Sequence, residues 1–438
     1  MKTRHKILLD RYLGIPVAWV LNGLARLLGI ILRRDHSMNI NNVHFIVVAK
    51  FLGMGSIIQA TPLLRTLKHA YPDARLCFIT TSQNRYIVER LALVDERLYV
   101  DDSGPWALTW SSLRVLARLV RRKIDLYFDL EVYSAYSCCM ALCAVARNRF
   151  GYYRYSSRFK QGIYTHLVYF NTRRPVRKIY TQLAAAAGIR EADIASELAP
   201  LTIWISERDS LRAKCVSMGF PMGEIQSPYV VINPNASDLL LERRWPLESF
   251  ALVGLRLAES GVLVIVTGSP TEQEHASQLV NMIGCPEPNR VFNVAGRLTF
   301  GEFLALLEGA NCVITNDTGP FHIALALNRP VVGLFGPVDP GHYGIRRPNV
   351  NLLFKSIYCS PCLHELDEPA CNGNNFCMHA IRPAEVIRAA GELLAAQGYQ
   401  LNALECTTTD SSQDEAYWDG QRKPLGVIVR SSIPFVGD

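Results

Sequence analysis

Residues 312–335 read CVITNDTGPFHIALALNRPVVGLF, and this stretch decides the fold class. The apolar runs Cys312 to Thr315 and Val331 to Phe335 predict two buried strands, and Pro320 to Leu327 between them has the composition and length of a helix. A helix that links two strands in this way is typical of a parallel sheet with helices on its faces. We therefore expect an α/β fold.

The same alternation occurs on both sides of this stretch. It indicates two doubly wound, Rossmann-like domains rather than one. In the first half we predict strands over Val43–Ala49, Leu76–Thr80 and Ile124–Leu130, with helices over Ile57–Lys68, Ser111–Arg121 and Ser134–Arg147. In the second half we predict strands over Tyr229–Asn233, Val262–Thr267 and Val291–Val294, with helices over Leu247–Ser260, after Glu272 and over Phe300–Gly309.

Length and composition agree with two domains. The chain has 438 residues, 49% of them hydrophobic and 19% charged, which is enough apolar material for two cores. Proline, glycine and polar residues increase between Pro221 and Pro228, where we place the boundary. The expected parts are an N-terminal helix over 1–40, a first domain over 41–222, a second over 223–400 and a polar tail over 401–438.

The formal net charge of +7 suits an anionic ligand or membrane surface. The basic residues are dispersed and form no nucleic-acid module, so we expect no nucleic acid as a partner. The apolar segment Gly14 to Arg33 is interrupted by Asn22 and Arg26, which makes a membrane span costly. We expect it to lie at an anionic membrane surface, with a helix packed on the body as the alternative.

Two loops follow predicted strands, at the sheet edge where ligands bind in such folds. In the first, Gly53 and Gly55 allow close approach of a ligand and Ser56 is expected to cap the next helix; a simple turn is the alternative. In the second, Asp317, Thr318 and Gly319 precede a helix whose free amides suit an anion such as a diphosphate. The alternative there is an ordinary helix cap with His322 packed beside it.

These motifs together resemble glycosyltransferase family 9, the family of the heptosyltransferases of bacterial lipopolysaccharide assembly. The resemblance rests on residues 316–322 (NDTGPFH), 324–330 (ALALNRP) and 333–340 (GLFGPVDP), in a long and specific spacing. Supporting motifs recur in family order from Val43 to Val386. They are the first loop, YPDA at 71–74, NPN at 233–235, RWP at 244–246 and GSPTE at 268–272.

The resemblance implies a GT-B fold, in which two Rossmann-like domains face each other across a cleft. It implies transfer of a sugar, typically heptose from ADP-heptose, with inversion and without a required metal. The donor would lie on the second domain and the acceptor on the first. The implied donor-binding residues are Asp317, Thr318 and Gly319 for the sugar and phosphates, Arg243 or Arg244 for the diphosphate, Glu272 for the ribose, Asn235, and His322 as a brace.

One departure concerns the acceptor base. Family members carry Gly-Asp in the first loop, whereas this chain has Gly55 and Ser56, and a serine hydroxyl is a poor base at neutral pH. Asp129 and Glu131, at the end of a predicted strand, are the candidates to replace it. The alternatives are a different acceptor, or an impaired enzyme that binds sugar nucleotides as a scaffold. An epimerase of the same fold is a further alternative.

The chain has twelve cysteines and no cleavable signal stands out, so we expect reduced thiols in the cytoplasm. Four of them, Cys359, Cys362, Cys371 and Cys377, predict a structural zinc site or a labile disulfide, with free thiols as the alternative. His364 or His379 could replace one ligand. We expect no catalytic cofactor, and a peripheral enzyme on the inner membrane that acts on a lipopolysaccharide or lipid-linked glycan.

Overall fold

The computed structural model describes residues 8–32, 36–37, 43–220, 228–236, 240–287, 289–363, 365, 369, 371 and 374–399. It contains two six-stranded sheets, ordered β3-β2-β1-β4-β5-β6 and β12-β11-β10-β7-β8-β9. Neighbouring strands are parallel throughout both sheets. The expected pair of doubly wound domains is confirmed. The expected polar tail, most of the boundary segment and His364 lie outside the described residues.

The first half of the chain builds the first sheet and its helices. Its elements are α1 (Ile15–Leu32), β1 (Phe45–Ala49), α2 (Met54–Gln59), α3 (Thr61–Ala70), β2 (Arg75–Thr81), α4 (Arg85–Val88), β3 (Glu96–Val100), α5 (Pro105–Val120), β4 (Leu126–Asp129), α6 (Ala135–Cys143), β5 (Asn148–Tyr153), β6 (His166–Tyr169), α7 (Val176–Ala186) and α8 (Ile205–Ser217).

The second half builds the second sheet. Its elements are β7 (Tyr229–Asn233), α9 (Leu247–Glu259), β8 (Leu263–Val266), α10 (Gln273–Ile283), β9 (Val291–Asn293), α11 (Phe300–Gly309), β10 (Cys312–Asn316), α12 (Gly319–Ala326), β11 (Val331–Phe335), α13 (Pro340–Tyr343), β12 (Val350–Phe354), α14 (Phe376–His379) and α15 (Pro383–Ala395).

Strand β1 shows why the central strands are continuous apolar runs. All five of its residues are buried, because each face of the sheet carries a layer of helices. Ile46 and Val48 pack with α2, α3 and α7 on one face. Val47 and Ala49 pack with α1, α5 and α6 on the other. The helices α1, α6 and α5 therefore share one side of the first domain.

Helix α8 links the two halves of the molecule. It precedes the expected domain boundary, yet it packs against α11 of the second half. Glu302 of α11 accepts hydrogen bonds from Ser210 Oγ at 2.6 Å and from Lys214 Nζ at 2.7 Å. On the other side, the guanidinium of Arg90 forms an ion pair with Glu207 at 2.6 Å. The link is thus fixed by buried or half-buried charges at both ends.

The N-terminal helix is docked along one side only. Asp10 accepts hydrogen bonds from the backbone amides of Ala135 at 2.8 Å and Tyr136 at 2.6 Å, which caps the start of α6. Asn22 Nδ2 donates to the carbonyl of Phe159 at 2.7 Å. The segment Asp10–Ile31 is long and apolar enough to cross a membrane, and 11% of it is buried. The helix both packs on the body and exposes an apolar side.

Candidate donor-nucleotide site in the interdomain cleft

The first loop turns from β1 into α2 at Gly53. This residue has a φ of +84°, a conformation that glycine adopts without strain. Gly53 stands at the N-cap position of α2 and no side chain caps the helix. Ser56 lies inside α2, so the expectation that it caps this helix is wrong. The helix begins earlier because the left-handed glycine ends the loop, and the hydroxyl of Ser56 instead bonds to the side chain of Tyr180.

Gly55 is required by a contact across the cleft. It lies in the first turn of α2, and a Cβ built on it would lie 2.1 Å from Cδ2 of His322 in the second domain. Gln59, about one turn further on, places Nε2 3.2 Å from Nδ1 of His322 and donates to the carbonyl of Tyr343 at 2.9 Å. The two loops identified from the sequence are therefore in direct contact.

Glu131 anchors the first loop. Its Oε1 accepts hydrogen bonds from Lys50 Nζ and from the amides of Phe51 and Leu52, each at 2.8 Å. Burial raises the pKa of Glu131, but the charge and hydrogen bond of Lys50 outweigh it and leave the pKa below its ordinary value. Glu131 is thus ionised at neutral pH, and it holds the backbone that leads to Gly53.

Asp129 lies behind Glu131 and is fully buried. Its Oδ1 accepts from the amide of Glu131 at 2.9 Å, and its Oδ2 accepts from Ser137 Oγ at 2.7 Å and from the hydroxyl of Tyr164. Burial raises the pKa of Asp129 despite these bonds. Both carboxylate oxygens are occupied by groups of the protein itself, which favours a structural role.

The donor loop joins β10 to α12. Asp317 follows the strand directly, and Thr318 is the N-cap residue of α12, with no hydrogen bond from its side chain to the helix amides. Thr318 Oγ1 donates instead to the carbonyl of Asn316 at 3.3 Å. Because Pro320 has no N–H, the amides of Gly319 and Phe321 in the first turn are left for another acceptor.

Asp317 is 2% exposed and lies between the side chains of Arg243 and His322. Its Oδ2 is 3.9 Å from Arg243 Nη1, and its Oδ1 is 3.5 Å from His322 Nε2, too long for a strong hydrogen bond. Arg243 Nη1 also donates to the carbonyl of Asp317 at 3.1 Å. Burial raises the pKa of Asp317, but the contacts with His322 and Arg243 outweigh it and lower the pKa.

Asn316, next to the donor loop, connects three segments of the chain through hydrogen bonds of its side chain. Its Oδ1 accepts from the amide of Trp245 at 3.1 Å, and its Nδ2 donates to the carbonyls of Pro234 and Asn235, each at 3.1 Å. The segments after β7, around Arg244 and after β10 are thereby fixed to one another. The sequence places Asn316 next to Asp317, but it gives no sign that Asn316 has this bridging role.

Buried polar atoms without partners lie around this junction. Among the described residues, Gln59 Oε1, Asn235 Oδ1, Arg243 Nε and Arg244 Nε are buried and accept or donate no hydrogen bond. Such atoms are rare in folded proteins and require an explanation. Here they come from three segments that meet at the cleft, which are α2, the turn after β7 and residues 243–244, and the simplest explanation is a polar ligand that pairs with them.

Glu272 lies beside this junction as a capping residue. Its Oε2 accepts from the amide of Ser269 at 2.8 Å, so one carboxylate oxygen is used by the protein.

Cys359, Cys362, Cys371 and Cys377 lie together below β11, where burial and the neighbouring thiols raise the pKa of Cys377 to about 12. Within the described ranges, no group of three or more His, Cys, Asp or Glu residues could hold a metal ion.

Comparison with known proteins agrees with this geometry. A family model described as glycosyltransferase family 9 (heptosyltransferase) matches residues 113–371, which include the donor loop. Lipopolysaccharide heptosyltransferase 3 of Escherichia coli K12 is 26% identical over 357 residues, 78% of this chain and 95% of that protein. Lipopolysaccharide heptosyltransferase 2 of the same strain is 24% identical over 290 residues, 66% of this chain and 81% of that protein.

Solved structures share the fold. A family 9 glycosyltransferase from Veillonella parvula superimposes with a TM-score of 0.68 at 21% identity, over 82% of this chain and all of that chain. The E. coli ADP-heptose lipopolysaccharide heptosyltransferase II gives a TM-score of 0.65 at 20% identity, also over 82% of this chain and all of that chain. The architecture is GT-B, and this chain belongs to glycosyltransferase family 9.

Proposed function

We propose that this protein transfers a heptose or related sugar from ADP-heptose to a lipopolysaccharide or lipid-linked glycan, with inversion and without a catalytic metal. The observation that carries the proposal is the group of unpaired buried polar atoms near Asn316, Asp317 and His322. Relatives that are named lipopolysaccharide heptosyltransferases support the sugar, and a structural relative named for ADP-heptose supports the nucleotide.

The donor side of the cleft suits a diphosphate. Arg243 and Arg244 supply fixed positive charge, and the uncapped first turn of α12 supplies amides without a mobile ion. The charge that develops on the leaving diphosphate would be stabilised by groups that are already in place. Asp317, ionised and buried beside Arg243, would accept hydrogen bonds from hydroxyl groups of the donor.

The acceptor side has two carboxylates with different environments. Glu131 holds the first loop through Lys50 and remains ionised, whereas Asp129 is enclosed by Ser137 and Tyr164. We assign to Glu131 the positioning of the loop on which the acceptor would lie. The role of acceptor base is tested by Glu131→Gln and Asp129→Asn. Loss of kcat with an unchanged Kd for ADP, together with loss of the acidic limb of the kcat–pH profile, would identify a catalytic base. Loss of kcat with that limb retained is expected of a positioning residue.

The first experiment is calorimetric titration of the full chain with ADP, UDP, GDP and CMP. We expect selective binding of ADP, weakened at least about tenfold by Asp317→Asn or Arg243→Gln because each removes one partner of a desolvated charge pair. Glu274→Gln, an exposed position of α10 on the same domain, is the matched control. Preference for another nucleotide would change the nucleotide assigned to the donor, and absence of binding to all four would refute the proposed donor site. Binding of a nucleotide without sugar transfer would favour the scaffold alternative.

We propose further that the protein acts at the cytoplasmic face of the inner membrane, attached through α1. The support is the exposed apolar side of this helix. Deletion of residues 1–34 should release the protein from membranes, and unchanged sedimentation with vesicles would refute the attachment.

A structural zinc at the cysteine cluster stays a separate hypothesis, and elemental analysis of Cys359→Ser/Cys362→Ser against the unaltered protein tests it.

A further inference from the structure

The outer side of α5 carries an apolar stripe that faces solvent. The exposed fractions are 79% for Trp106, 66% for Trp110, 52% for Leu113 and 54% for Val120. Steps of four, three and seven residues place all four side chains on one face of a helix. A helix on the surface of a soluble domain normally presents polar residues there, so this stripe needs a partner.

A second exposed apolar surface lies on α1, and α6, whose outer apolar side chains are half-buried, separates it from α5. Helix α5 packs beside α6, and α6 packs beside α1, all on the same side of the first sheet. The sequences of these three described helices contain neither aspartate nor glutamate. Helix α1 adds a second set of exposed apolar side chains, which includes Trp19, Val20, Leu24, Leu27, Ile30 and Ile31.

Basic residues border the stripe. Arg114, Arg118 and Arg121 are exposed and lie along one flank of α5. Helical geometry places them about 60–120° from the line of the tryptophans. An apolar band with tryptophans and a basic flank is the pattern of a surface that enters the headgroup region of an anionic bilayer.

We propose that the outer sides of α1, α6 and α5 form one bilayer-docking face, in which α5 is a second point of attachment to anionic lipid. This extends the attachment proposed above for α1 and does not depend on the identity of the sugar. Trp106 and Trp110 would lie at headgroup depth, and the three arginines would contact lipid phosphates. The absence of carboxylates from the three helices favours an anionic bilayer over a second copy of this chain.

The position of the tryptophans gives the face an orientation. They lie in the first two turns of α5, which follows the carboxyl end of β3. The first loop follows the carboxyl end of β1 in the same parallel sheet. The tryptophan end of the face is therefore at the cleft edge of the domain. Docking through α5 would hold the acceptor side of the cleft close to the headgroups, where a lipid-linked glycan begins.

The test measures binding of the full chain to phosphatidylcholine vesicles with and without phosphatidylglycerol. With α1 intact, Trp106→Ser/Trp110→Ser should lower the partition coefficient at least about tenfold on both lipids, because two aromatic side chains no longer insert. Arg114→Gln/Arg118→Gln should lower it on phosphatidylglycerol vesicles and leave the weaker binding to phosphatidylcholine unchanged. Ile205→Ser/Val216→Ser on α8 removes equally exposed apolar side chains and should have no effect.

Brominated lipids provide an independent readout. They should quench part of the tryptophan fluorescence of the unaltered chain, and the Trp106→Ser/Trp110→Ser variant should lose most of this quenching. Unchanged partitioning of that variant, or equal losses for the α8 control, would overturn the proposal. So would a dimer, detected by sedimentation without lipid, that Trp106→Ser/Trp110→Ser dissociates. A chain that binds ADP and vesicles but transfers no sugar would refute the proposed function and leave this inference standing.

Discussion

Replacement of Gly55 by alanine tests whether the two loops meet in solution as they do in the structure. The added methyl carbon would lie 2.1 Å from Cδ2 and 2.9 Å from Cγ of His322. Carbon atoms pack at about 3.5 Å, so the imidazole and α2 must separate by roughly 1.4 Å. Because Gln59 Nε2 is already 3.2 Å from the same ring, such a shift would break that hydrogen bond.

The expected cost follows from this displacement. Insertion of one methyl group into a packed contact costs about 1–3 kcal/mol. The contact joins two domains, so the chain can relieve the clash by opening the cleft rather than by unfolding. We therefore expect kcat/KM for sugar transfer to fall roughly 5–150-fold, since about 1.4 kcal/mol corresponds to a factor of ten. The melting temperature should change little.

The assay combines transfer rates with two controls. Gly104→Ala, where an added Cβ meets no atom within 4 Å, should leave the rate unchanged. In the double variant Gly55→Ala/His322→Ala the ring is removed, so the added methyl group should cost much less than it does alone. Small-angle scattering should show a larger radius of gyration for Gly55→Ala. A variant with unaltered transfer and unaltered scattering would show that this contact does not form in the working enzyme.

Three further predictions concern single residues. Ser56→Asp should raise kcat about a hundredfold over Ser56→Asn, because only the carboxylate can act as a base; equal rates, compared across pH, would show that a side chain at position 56 does not reach the acceptor hydroxyl. Asn316→Ala leaves buried groups unpaired and should lower the free energy of unfolding by about 2–4 kcal/mol, measured in urea against the exposed control Asn281→Ala; equal losses would exclude the bridging role. Burial raises the pKa of Glu302, but bonds from Lys214, Ser210 and Thr299 lower it to about 2, from 4.5. The contribution of Glu302 to stability should therefore be complete above pH 4.5 and be lost as the pH falls towards 2. The difference in unfolding free energy between the unaltered protein and Glu302→Gln should decrease over that range. A difference that stays constant would contradict this prediction.

The sequence predicts the central strands well because they are buried on both faces. The structure has the expected bounds for Tyr229–Asn233, Phe300–Gly309 and Val331–Phe335. It adds the edge strands β3 and β12, and also β5 and β6, none of which the pattern reveals. Strands β5 and β6 show the reason. Their sequences NRFGYY and HLVY mix polar and aromatic residues, and β6 is an edge strand whose residues are half-buried or exposed. A strand that is not enclosed carries no continuous apolar run.

Site residues are predictable where they share one loop and not where they meet across the fold. Asp317, Thr318 and Gly319 follow from a single motif. The contact between Gln59 and His322 joins residues 263 positions apart, and only the relative placement of the two sheets brings them together. Ser56 is expected as a cap because serine favours that position, but Gly53 with its positive φ is the N-cap and the helix begins at Met54, two residues before Ser56.

The protonation state of Asp317 decides what this residue can do in the reaction. It is buried, yet His322 and Arg243 hold its pKa below the ordinary value, so it is ionised at neutral pH. An ionised carboxylate can accept hydrogen bonds but has no proton to give, which excludes it as the acid for the leaving group. A diphosphate is stabilised by positive charge and amides and needs no proton to depart. Arg243 therefore has two roles, because its charge neutralises Asp317 and its Nε remains available for the ligand. Arg243→Lys keeps the charge but not this geometry, so it should weaken ADP binding.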